Sequence, residues 1–137
     1  MSCKPSISVA NTIETTVATN TIIPLPTILR RREQGLNKFG DAVVIDDCRN
    51  NYYLVTVNAT VSAPAAGDVT VTLQQNSTNV PGGTASETIT TAVTENRSLS
   101  FTVLVRNFSG PSVDTLSLLN SGVEAIFSNV VMTVVKL

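Results

Sequence analysis

From Val43 to Leu137 the chain is built of short Val- and Thr-rich stretches in which apolar and polar side chains alternate, separated by Gly, Pro, Asn or Asp. Alternation with a period of two marks a strand with one covered and one open face, and regular turn signals between such strands mark a sandwich or barrel. Tyr53, Val55, Val57, Ala59 and Val61 take one face, while Thr56, Asn58 and Thr60 take the other. After a turn at Pro64 to Asp68, Val69, Val71 and Leu73 alternate in the same way with Thr70, Thr72 and Gln74. Asn76 to Gly83, which holds Asn, Pro and two glycines, is expected as a turn. Further strands are expected over Thr84 to Thr94, Leu99 to Asn107 and Val113 to Leu119. In these, Leu99, Phe101, Val103 and Val105 share a side, as do Leu116 and Leu118. Phe108 to Pro111 and Asn120 to Gly122 supply the turns between them. Counting from Thr12, about eight strands result, and the expected fold is an all-β jelly-roll sandwich.

The last strand departs from alternation. Val130, Met132 and Val134 fall on one face, and Val131 and Val135 on the other, with Leu137 at the end. A strand apolar on both faces has to be covered on both sides. The opposite sheet of a sandwich covers one, and a second copy of the chain is the natural cover for the other. Three or four such side chains contribute on the order of 1.5 to 3 kcal/mol each when buried. Val130, Val131, Met132, Val134, Val135 and Leu137 are therefore the expected contacts of a homo-oligomer.

The first third reads differently. Two prolines in Ile23-Pro24-Leu25-Pro26 remove backbone donors and suit an arm or an edge strand. Met1 to Thr12 reads as an arm, and Ile28 to Lys38 as a loop around the charge cluster Arg30-Arg31-Arg32-Glu33. The expected organisation is an attachment arm over residues 1–40 and a jelly-roll trimerisation domain over residues 41–137.

Composition narrows the chemistry. With a formal net charge of −1 and 14% charged residues, the chain lacks the basic field that nucleic acid requires. No run approaches the roughly 20 apolar residues that span a bilayer, and the first residues carry no secretory signal pattern. Neither nucleic acid nor membrane is an expected partner. Histidine is absent, and the serines lack a base or a Gly-x-Ser-x-Gly turn to activate one, so no catalytic constellation emerges. Asp46-Asp47 beside Cys48 supplies too few oxygen ligands for a cation and reads as a solvated turn. Cys3 and Cys48 read as free thiols, and four Asn-x-Ser/Thr matches as chance in a Ser/Thr/Asn-rich chain. No cofactor or metal is expected.

The segment VTVTLQQNSTNVPGGTA from Val69 to Ala85, LLNSG from Leu118 and VMTVVKL from Val131 resemble the C-terminal trimerising jelly rolls of bacterial collagen-like spore-surface glycoproteins. Those domains are similar to tumour necrosis factor and to the globular heads of complement. The resemblance covers about Tyr52 to Leu137 and implies a trimer with its C-terminal strands near the threefold axis. No Gly-X-Y collagen stretch precedes the domain. A short arm on a free-standing trimeric jelly roll also resembles phage proteins that decorate capsids or form head fibres. The expected function is accordingly structural: a homotrimer on a virion surface, holding a major capsid protein or another shell protein through its arm. Arg30, Arg31 and Arg32 would grip carboxylates of the shell. Such a trimer would stabilise the shell by binding only its assembled state, and truncating Met1 to Gly40 would leave the trimer but abolish attachment. The alternative is a receptor- or glycan-binding module on a spore, cell or phage surface, using Asn76 to Gly83 and Phe108 to Ser112.

Overall fold

A computed structural model describes residues 4–32, 35–47, 51–107 and 113–137. The expected turn at Phe108 to Pro111, the binding loop Phe108 to Ser112, and Cys3, Glu33 and Cys48 lie outside them.

Among the described residues, twelve strands form two antiparallel sheets: β1 (Ser6–Asn11), β2 (Thr15–Val17), β3 (Thr21–Ile22), β4 (Thr27–Arg32), β5 (Leu36–Phe39), β6 (Ala42–Ile45), β7 (Tyr52–Ser62), β8 (Gly67–Gln75), β9 (Thr78–Ile89), β10 (Arg97–Arg106), β11 (Asp114–Asn120) and β12 (Ala125–Lys136). The first sheet runs β10-β7-β12-β1-β4, with β2 also paired to β12; the second runs β5-β6-β11-β8-β9, with β3 also paired to β11. The inward residues are those the alternation marks. Tyr53, Val55, Val57 and Val61 of β7, Val69, Val71 and Leu73 of β8, and Leu116 and Leu118 of β11 are all buried. They meet Val130, Met132 and Val134 of β12 in one continuous core.

The jelly roll is as expected, but its boundaries are not. The described residues between 4 and 40 are no separate arm: β1 lies between β12 and β4, and Ile7 and Val9 are in the core. Ser6 and Ser8 are polar because they stand on the open face opposite Val135 and Thr133, not because the segment is solvated. The Pro24–Pro26 stretch is also internal, with Ile23 and Leu25 fully buried and the Leu25 N–H bonded to Asp41 Oδ1 at 2.9 Å. Ile28 to Lys38 contains β4 and β5 rather than a loop. Every residue of β4 is exposed. Such an edge strand leaves no periodic imprint, because neither of its faces is sealed.

The expected turn at Asn76 to Gly83 shrinks to Asn76 and Ser77, whose φ angles of 53° and 66° make a two-residue hairpin turn. β9 begins at Thr78 and ends at Ile89 instead of running to Thr94. It absorbs Pro81 and Gly82 because it is an edge strand and because its register to β8 slips between Thr72 and Gln74. Thus the first of the two expected binding loops is mostly strand.

Candidate functional site

Register places the open face of the first sheet residue by residue. Leu104, Leu54, Val135, Ser6 and Arg32 stand in one row across β10, β7, β12, β1 and β4. Thr102, Thr56, Thr133, Ser8 and Arg30 form the next. Ser100, Asn58, Val131 and Ala10 form a third. On β7 and β12 the open face carries no charged residue between Leu54 and Thr60 or between Asn129 and Val135. Hydroxyls in the middle row bond one another across strands, Ser8 Oγ to Thr133 Oγ1 at 3.1 Å and Thr56 Oγ1 to Thr102 Oγ1 at 3.5 Å. Pairing the hydroxyls with each other lowers the cost of taking the face out of water. Leu54 is 36% exposed and Leu104 50% exposed.

The structure divides the expected oligomer contacts. Val130, Met132 and Val134 are wholly buried in their own chain, whereas Val131 and Val135 stand on the open face and Leu137 is exposed at its rim. The arginine triplet is divided too. Arg30 and Arg32 pair with open-face serines, whereas Arg31 pairs with the buried Ile7 and its Nε donates to the Leu36 carbonyl at 2.8 Å, tying β4 to the other sheet. The expected trimer contacts and the expected attachment residues therefore share one surface.

Asp46 and Asp47 are not equivalent. Asp46 is exposed, but Asp47 Oδ2 accepts from the Tyr53 hydroxyl at 2.8 Å and Asn51 Nδ2 at 2.7 Å, and pairs with Lys136 Nζ at 3.0 Å. Burial, with the Asp47 carboxylate beside it, raises the Tyr53 phenol above its ordinary range. Arg31, Asp46, Asp47, Tyr53 and Lys136 line an open cleft of about 490 Å³. In it, the Asp47–Lys136 pair and the Tyr53 hydroxyl already satisfy one another, which makes the cleft a clamp between strands.

Sequence reasoning passed over two buried asparagines. Asn107 Nδ2 donates to the Asp47 carbonyl at 2.7 Å, and its Oδ1 accepts from the Asn51 N–H at 2.8 Å. At the other end, Asn120 Nδ2 donates to the carbonyls of Val17 and Val123, both at 3.0 Å. Each occupies the next inward position after an apolar series, Val103 and Val105 before Asn107, and Leu116 and Leu118 before Asn120. Period two was therefore the available signal.

The loop between β9 and β10 is held by Glu95, which accepts from the N–H groups of Thr90 and Thr91 at 2.6 and 3.0 Å and pairs with Arg97 at 2.9 Å. The backbone bonds, then the Thr90 hydroxyl and Arg97, hold its carboxyl down to about 2. A carboxylate depressed in the fold stabilises it above the unfolded pKa, and that contribution is lost as pH falls from about 4.5 toward 2. Glu95→Gln is expected to lower the melting temperature at neutral pH, with the difference from wild type narrowing below pH 4; calorimetry across pH checks this.

No protein-family model matches the chain, and no curated protein sequence matches it. Solved structures do. Murine APRIL at pH 5.0 superposes with a TM-score of 0.68 at 13% identity, over 98% of this chain and 100% of that one. The globular domain of zebrafish complement 1qA protein gives 0.64 at 10% identity, over 96% and 95%. PRD1 vertex protein P5 gives 0.62 at 13% identity, over 99% and 98%. At such identities the likeness concerns the fold, and the chain has the tumour-necrosis-factor-like jelly-roll fold.

Proposed function

We propose that the chain is a non-catalytic structural protein that assembles as a homotrimer through the open face of the first sheet and decorates a virion shell. The observation that carries this reading is the uncharged central strip of that face. Leu54, Leu104, Val131 and Val135 stand on it outside the core, Leu54 and Leu104 36% and 50% exposed and Val131 and Val135 half-buried. Because each is already half-buried or more, covering what remains contributes at most about 1.5 kcal/mol per side chain. The cationic residues along β4 stand at the edge of this face, outside the uncharged strip.

The fold shared with murine APRIL and complement 1qA, and the trimer that the resemblance implies, support the homotrimer. The likeness to a vertex protein supports the virion setting, with a shell protein as the partner. Because the strands from Ser6 to Phe39 belong to the two sheets, attachment falls to Arg30 and Arg32 on β4, at the edge of the open face beyond the covered strip, rather than to a free arm. Val135→Asp would place an unpaired charge in the covered strip. It is expected to reduce the solution mass from three chains to one while circular dichroism remains that of a β-sandwich. A variant that keeps the wild-type mass would exclude this face as the contact.

A further inference from the structure

The net charge of −1 conceals a separation along the long axis. Among the described residues, Lys4, Arg30, Arg31, Arg32, Arg106 and Lys136 lie in the half where Ser6 meets Val135 and Tyr52 meets Arg106. Asp46, Asp47 and Asp114 offset them only in part. The opposite half, where β2 meets β12 and Gly67 meets Ile89, carries Glu14, Asp68, Glu87, Glu95 and Glu124. Its basic residue, Arg97, is paired to Glu95.

The basic end has a particular surface. Arg106 stands opposite Tyr52, the Leu137 N–H bonds the Tyr52 carbonyl at 3.0 Å, and Lys4 Nζ reaches the Leu137 carbonyl at 3.4 Å. These contacts set a cation, an aromatic ring, a leucine and a second cation in one row. Tyr52 is 49% exposed and Leu137 56%. A polyanion such as nucleic acid favours dense, unbroken positive charge, which the three aspartates interrupt. Arg and Tyr around an apolar patch are instead the composition of a protein interface, and Arg matches carboxylates in bidentate geometry.

We propose that this basic end is the docking end: Arg106 and Lys4, around Tyr52 and Leu137 in the row beyond the covered strip, seat on a carboxylate-rich protein surface, and the acidic end points outward. The proposal rests on the reading of the chain as a surface-attached module, to which it adds the orientation and the partner's chemistry. The test is retention of the full chain on immobilised poly-L-glutamate by biolayer interferometry, beside heparin and phosphatidylserine vesicles. Affinity for poly-L-glutamate is expected to fall about tenfold in Lys4→Glu/Arg106→Glu and to weaken with added salt. Glu124→Lys, at the far end, is expected to leave it unchanged. Equal retention of wild type and double variant, or tighter binding to heparin or vesicles, would overturn the proposal. Light scattering on the same samples separates the two readings. A retained monomer would remove the trimer and leave the docking end, whereas a trimer without retention would remove the docking end alone.

Discussion

Deletion of residues 1–40 is expected to abolish folding rather than merely detach the protein from its shell. The deletion removes β1 and β4, which extend the first sheet beyond β12, together with β2, β3 and β5, and so takes strands from both sheets. Ile7, Val9, Val17, Ile23, Leu25 and Leu36 leave the core with them. At about 1.5 to 3 kcal/mol per side chain, the loss matches or exceeds the roughly 5 to 15 kcal/mol of a typical domain. The truncated chain should give the circular dichroism of an unfolded polypeptide and aggregate through the exposed edge of β12. A folded chain starting at Asp41 would show that residues 4–40 are an appendage after all.

Asp47→Ala is expected to destabilise the fold by about 3 kcal/mol, because it leaves the Tyr53 hydroxyl, Asn51 Nδ2 and Lys136 Nζ without their shared acceptor. For a domain of this size that is a fall in melting temperature of about 10 °C. Asp46→Ala, one residue away on an exposed position, is expected to stay within about 0.5 kcal/mol of wild type. The contrast between neighbouring carboxylates is the check, read by thermal melts of both variants side by side. Equal effects would mean that the bonds gathered at Asp47 Oδ2 contribute little.

The core of the long strands was legible because each uses a single rule. In β7, β8 and β11, inward residues are apolar and most outward ones polar, so period two reveals both the strand and its buried side. The N-terminal strands were not legible, for differing reasons. β1 is short, and its outward serines made it resemble a solvated arm. β4 is exposed throughout, so pairing with β1 alone makes it a strand. Pro81 and Gly82 looked like a turn, yet an edge strand with a slipped register accommodates both. Of the surface, the sequence revealed that β12 is apolar on two sides. It could not separate the side spent on the chain's own core, Val130, Met132 and Val134, from the side left open, because that depends on which sheet lies beneath. Nor could it reveal that Arg31 turns toward the second sheet while Arg30 and Arg32 stay on the open face. That division follows from alternation along β4 once it pairs with β1, with Arg30 and Arg32 opposite Ser8 and Ser6 and Arg31 opposite Ile7.

The trimer is the claim on which the reading of the open face depends. The most direct test is the mass of the wild-type protein in solution by multi-angle light scattering. Three chain masses, persisting on dilution, is the predicted result. A single chain mass would contradict the account, because it would mean that Leu54, Leu104, Val131 and Val135 are left uncovered in the protein's working state.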